Sequence, residues 1–254
     1  MPPEVRGRDS VVSQSPLLRR YLGDRRFLLT LPRAVTLQML NPQIARALNE
    51  HMPTRLWDHK KRVVSQIIYM AYSGQVAEPV IRGGHEHVKG VGPTGARYHA
   101  LHPELFFFQH ATFVDTLVTS INLFSEPLSA AQHHQLYDEC CLWYQSYGIS
   151  MRAMPARWPE FVDYFVDACA TQLALTEDNA GLVAEASAPY TWVPARNPAF
   201  AVRCMLHPRA QALLGITPNW AERQAFSSYA RMIRGSSAVA PIRLRQVAQA
   251  RMRK

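Results

Sequence analysis

Pro103-Glu-Leu-Phe-Phe-Phe-Gln-His110-Ala-Thr-Phe-Val-Asp-Thr-Leu-Val-Thr-Ser-Ile-Asn-Leu-Phe124 holds a helical period over its whole length. Phe106, His110, Phe113, Leu117 and Ser120 recur at steps of four and three, which places them on one buried stripe. Pro103 suits the first turn of such a helix, where its missing N–H has no intrahelical partner to lose. The neighbouring segments read the same way. Asn41-Pro42 caps a helix over Gln43 to Glu50. Lys61 to Tyr72 carries Val64, Ile67, Ile68 and Ala71 on one side. Ser129-Ala-Ala-Gln132 is a capping box for a helix to about Tyr147, and Trp158-Pro159 opens one to about Leu175. Thr217-Pro218 caps a helix from Asn219 to about Arg234 that Gly235 should stop. No Asn-Gly or Asp-Gly hairpin signal occurs and alternation is never sustained. The expected fold is therefore all-α, a single multi-helix domain over 1–254. Two irregular stretches are expected within it, Gly83 to Gly95 with five glycines and Ser187 to Pro198 with three prolines.

Composition agrees. The chain has 254 residues, 48% hydrophobic and 19% charged, a globular balance with ample material for one core. No apolar run approaches the ~18 residues needed to cross a bilayer. The N-terminus lacks the apolar stretch of a secretion signal, and Cys140, Cys141, Cys169 and Cys204 form no CxxC pair. Reduced thiols in a cytoplasmic protein are the expectation. The net charge of +9 is concentrated at the ends, with Arg243, Arg245, Arg251, Arg253 and Lys254 at one and Arg6, Arg8, Arg19 and Arg20 near the other. Residues 1–18 and 243–254 read as flexible basic ends. They could meet nucleic acid or an anionic membrane, but no zinc-finger, RNP or P-loop pattern supports specific nucleic-acid binding.

The chemistry is concentrated in one region. His85, His87, His99, His102 and His110 are half of the ten histidines. Histidine ligates transition metals and haem iron and titrates near neutral pH. His85 stands among Gly83, Gly84 and Gly90, which could let backbone or a flat cofactor approach closely. His110 lies on the apolar stripe, as either a satisfied core histidine or a pocket residue. His87 reads as a neighbour or surface group, His99 and His102 as caps of the next helix, and His133-His134 as surface. His85-Glu86-His87 also supplies the residue types of a facial iron triad, but di-iron bundles use E-x-x-H pairs that are missing here. There is no G-x-S-x-G elbow.

The chain resembles the MpaB / rubber-oxygenase (latex-clearing protein) catalytic-domain family. Gly23-Asp-Arg-Arg-Phe-Leu-Leu and Asn41-Pro42-Gln-Ile-Ala are similar to its opening helix and turn. His85-Glu-His-Val-Lys-Gly90 is similar to its H-x-x-V-R-G signature, and Tyr98-His-Ala-Leu-His-Pro103-Glu-Leu to its Y-x-A-x-x-P-E-L. Phe108-Gln-His110-Ala-Thr, Pro127-Leu-Ser129, Met154-Pro155 with Trp158 to Tyr164, and Leu213-Leu-Gly215-Ile with Trp220 follow in family order. The resemblance implies helices around one haem b, a histidine axial ligand at His85, and oxygenase chemistry with dioxygen on a small apolar organic substrate. It also implies an arginine at Arg62; Gln66 replaces the threonine four residues on.

The expected site follows from both readings. His85 is the metal ligand, and His110, Phe106 and Phe113 line the cofactor pocket. Arg62 and Lys61 are the candidate catalytic cations, with Arg62, Lys89 and Arg97 as partners for haem propionates. The alternatives are a haem protein of peroxidase-like or biosynthetic activity, and a basic helical binding module without cofactor.

Overall fold

The computed structural model describes residues 10–91, 95 and 97–251. In chain order the helices are α1 (Pro16–Tyr21), α2 (Arg25–Leu40), α3 (Pro42–His51), α4 (Leu56–Ser73) and α5 (Glu78–His85). A two-stranded hairpin, β1 (Lys89–Val91) and β2 (Arg97–His99), follows. Then come α6 (Pro103–Phe124), α7 (Ala130–Gln145), α8 (Trp158–Thr171), α9 (Glu177–Ser187), α10 (Ala199–Met205), α11 (Pro208–Leu213), α12 (Trp220–Val239) and α13 (Ile242–Arg245).

Two helices form the axis of the fold. From Arg26 to Leu40, every residue of α2 except Arg33 is buried, and α6 packs along it with a broad buried face from Leu105 to Phe124. A helix that is buried all round belongs at the centre of a core. Phe107 and Phe108 of α6 are at most 1% exposed. Each such side chain contributes about 1.5–3 kcal/mol of transfer free energy. The pair is also joined by polar contacts. Arg33 makes a two-pronged ion pair with Asp115, at 2.6 and 3.1 Å, and Gln38 donates to Thr112 Oγ1 at 2.7 Å. α9, α3, α4 and α7 close the main core, while α10 and α12 build a smaller one on Leu29 and Phe124. No described helix is long and apolar enough to cross a membrane. All four cysteines are free.

Local signals place most helix ends. α6 spans the predicted residues and the capping box Ser129/Gln132 opens α7, whereas α12 is capped by Asn219, in a box with Glu222, and not by Thr217. The differences have tertiary causes. α8 stops at Thr171 because the chain turns back, and the Ala174 N–H donates to the Leu40 carbonyl of α2 at 2.9 Å. α12 runs through Gly235 to Val239; nothing crowds that glycine, so its only penalty is helix propensity. Gly83 and Gly84 belong to α5 and face open space, so they permit no close approach. The hairpin was not expected. It pairs Lys89 with His99, Gly90 with Tyr98 and Val91 with Arg97. Gly90 is required there, since a Cβ would lie 2.7 Å from the Tyr98 Oη.

The basic ends also differ from the sequence reading. Val12 and Leu18 are buried, and the Leu18 N–H donates to Glu139 at 2.7 Å. At the other end Gln246 bridges to Asp24, the Val247 N–H donates to the Gly23 carbonyl at 2.9 Å, and Val247 and Ala250 join the main core. Residues 10–18 and 243–251 are thus packed, while 1–9 and 252–254 lie outside the described residues.

Candidate active site

Three helices each turn one stripe toward a single internal cavity of about 60 Å³. α4 contributes Lys60, Val63 and Ile67, α6 contributes Phe106, Gln109, His110 and Phe113, and α5 contributes Ile81 and His85. Gln38 of α2 and Tyr147, just beyond α7, complete the wall. The spacings of three and four within each stripe follow from the helical period.

His85 ends α5. Its Nδ1 lies 2.8 Å from the Ile81 carbonyl one turn earlier, a geometry in which Nδ1–H donates. The neutral ring then carries its lone pair on Nε2, the tautomer of a metal-binding imidazole oriented by a backbone carbonyl. Phe106 meets the ring edge-on at 5.5 Å. Burial, followed by the nearby Lys60 and His87 charges, lowers the His85 pKa against the opposing pull of the Ile81 hydrogen bond.

His110 has the opposite tautomer. Its Nε2 donates to the Cys140 carbonyl at 3.2 Å, and the buried Nδ1 has no partner. Trp143, Tyr144 and Tyr147 surround the ring, with centroids 4.8 to 5.7 Å away. Desolvation in this cage pushes the His110 pKa down to about 3, so the ring is neutral.

The cation at the cavity is Lys60. It is 4% exposed, and its ammonium donates to Gln38 Oε1 at 2.8 Å. Gln38 donates onward to Thr112, whose hydroxyl donates to the Gln109 carbonyl at 2.7 Å. Burial lowers the Lys60 pKa to about 8, and burial together with the Lys60 and Arg62 charges takes His59 to about 3.

Of the residues singled out from sequence, His85, His110, Phe106 and Phe113 surround this cavity. Lys61 and Arg62 do not. Both are exposed, and Arg62 donates to Thr54 Oγ1 at 3.3 Å. At about 100° per residue, Arg62 lies about 200° round α4 from Lys60 and about 100° from Val63. Extending the apolar set Val64, Ile67, Ile68 and Ala71 back by four positions reaches Lys60, a signal that was present in the sequence. Gln38 and Tyr147 had no such signal. Lys89 and Arg97 stand exposed on the hairpin. They line a separate open groove of about 620 Å³ with Tyr98, His99 and His102. His87 faces His51, His102 pairs with Glu104 at 2.8 Å, and His133 stacks on Trp158. Among the described residues no three His, Cys, Asp or Glu side chains come together to hold a metal ion, so His85, Glu86 and His87 do not assemble a triad.

A haem group can be tested against this arrangement. The donor chemistry fits, because a single imidazole with a free Nε2 at an aromatic-walled cavity is what axial ligation needs. The closed volume of about 60 Å³ is smaller than the ~300 Å³ at which ligand pockets begin. The wall on the His85 side is thin: Ile81 is the only buried residue of α5. As the helices stand, that volume does not hold a porphyrin, and only the donor chemistry of His85 matches the group.

Fold and site together define an all-helical protein with a histidine-bearing internal cavity. Residues 19–235 match the family described as ER-bound oxygenase mpaB/B'/Rubber oxygenase, catalytic domain, and the chain belongs to that family of oxygenases. No curated protein and no solved structure matches the chain significantly.

Proposed function

We propose that this chain is a haem b-dependent oxygenase or oxidase. It acts with dioxygen on a small apolar organic substrate, in the cytoplasm, and His85 is the axial ligand. The observation that carries the reading is the His85 Nδ1–H to Ile81 hydrogen bond, which leaves the Nε2 lone pair at the cavity. The family membership supplies the oxygenase class. When bound, haem would supply the binding of dioxygen and its electron transfer.

The chain's own residues have separable roles in this proposal. Ile81 orients His85. Phe106 and Phe113 exclude water and give an apolar substrate its contact surface. Lys60, held by Gln38, fixes a positive charge beside the cavity, where it would stabilise negative charge developing on a reacting group. His110 offers an unprotonated Nδ1 that can accept a hydrogen bond from a group in the cavity. Four free cysteines agree with a reducing compartment.

Haem titration of the purified full chain, followed by its Soret band, tests the proposal. The wild type should bind about one equivalent, and His85→Ala should lose the band or shift it. His87→Ala should keep it. Failure of the wild type to take up haem refutes the proposal, and loss of binding in His110→Ala but not in His85→Ala moves the ligand to α6.

A further inference from the structure

A second concavity lies away from the histidine cavity. It is a groove of about 930 Å³ between α1 and the C-terminal segment. Arg19, Arg20, Arg243 and Arg251 line it, and among the described residues no Asp or Glu does. None of these four arginines forms an ion pair among the described residues. The nearby carboxylate of Asp24 is buried and held by Arg26 at 2.7 Å. The groove is built, not frayed. Its C-terminal wall is held by the Val247 to Gly23 hydrogen bond, and Arg251 is tied to the Gln246 carbonyl at 2.8 Å.

The same wall carries exposed aliphatic side chains between its charges. In Val239-Ala-Pro-Ile242-Arg243-Leu244-Arg245, the exposures are 85% for Val239, 56% for Ile242 and 63% for Leu244. Ile242 lines the groove itself. Arginines interleaved with exposed aliphatics match the interface of an anionic bilayer, which offers phosphates to the guanidinium groups and acyl carbon to the Ile and Leu. A nucleic acid would use the charge but leave the aliphatics in water. It would also want exposed aromatic faces for stacking. The one aromatic lining the groove, Tyr72, has its hydroxyl bonded to the Arg19 carbonyl and to the Gly23 N–H.

We propose that the groove between α1 and the C-terminal segment is a peripheral docking surface for anionic membranes. Arg19, Arg20, Arg243 and Arg251 bind lipid phosphates, and Ile242 and Leu244 enter the interface. The proposal is independent of the reading of the histidine cavity.

The test is co-sedimentation of the full chain with phosphatidylcholine vesicles and with vesicles in which a third of the lipid is phosphatidylserine. Binding is expected to the second only, and it should weaken as salt is raised. Arg19→Gln with Arg243→Gln should lower the partition by about 25-fold, about fivefold per arginine. Ile242→Ser with Leu244→Ser should lower it without changing charge. Arg223→Gln with Arg231→Gln, which removes the same charge from exposed positions of α12 outside the groove, should leave it within about twofold. Far-UV circular dichroism checks that each variant is folded; if the arginine pair unfolds the chain, Arg20→Gln alone carries the charge test. Equal loss in the α12 pair overturns the site. Unchanged binding in the serine pair, with displacement by millimolar inorganic phosphate, overturns the membrane in favour of a free-anion site. Tighter binding of duplex nucleic acid than of the anionic vesicles, with the same arginine dependence, overturns it as well.

Discussion

Lys60→Met should make the protein more stable while lowering its activity. The ammonium is fully desolvated, and its pKa is lowered from 10.5 to about 8 by burial alone. At about 1.4 kcal/mol per pH unit, that lowering corresponds to about 3 kcal/mol against the folded state at pH 7. Methionine has a similar length and no charge. Its introduction removes that penalty but strands Gln38 Oε1, which now accepts from Lys60 at 2.8 Å. A stranded acceptor costs about 1–3 kcal/mol. The net gain is on the order of 1 kcal/mol, or about 2–4 °C in Tm for a chain of this size. The pH dependence identifies the cause. A lysine whose folded pKa is depressed destabilises the fold at every pH below about 8, and the penalty fades as pH rises from there to 10.5. The gap between variant and wild type should therefore close across that window. Urea unfolding of both proteins between pH 7 and pH 10.5 measures it. A variant less stable than wild type at pH 7, or a gap that does not change with pH, refutes the idea that Lys60 is a destabilising cation retained for chemistry.

His110 and His59, both with pKa lowered to about 3, favour their neutral forms in the folded state. Stability should be lost as pH falls below the ordinary value of 6.5, by up to about 1.4 kcal/mol per pH unit for each, and unfolding midpoints from pH 7 to pH 4 would show it. Truncation after Pro241 should destabilise the fold by about 2 kcal/mol or more, since it removes the buried Val247 and Ala250 and the bond to Gly23; an unchanged Tm would show that this packing contributes nothing. Arg62→Ala should change stability by no more than about 0.5 kcal/mol and leave turnover intact, because Arg62 is exposed on the far side of α4; a hundredfold loss of turnover would place it in the site after all.

Sequence alone determined what depends on neighbours along the chain. The period of Pro103–Phe124, the Ser129/Gln132 box and the Asn41-Pro42 start are interactions over three or four residues. They survive wherever the helix is docked. The same local logic placed Phe106, His110 and Phe113 on one stripe, and that stripe lines the cavity. Tertiary structure decided which face of α4 turns inward, and so that Lys60, not Arg62, reaches the cavity: both positions are cationic, and only docking against α2 and α6 distinguishes them. It fixed the His110 tautomer, since the Cys140 carbonyl that His110 meets is 30 residues away. It also packed the basic C-terminus, whose Val247 finds the Gly23 carbonyl across nearly the whole chain. Composition reads such a segment as a solvated tail, because its charges are visible in the sequence and the two small apolar residues that anchor it gain meaning only from the surface they bury.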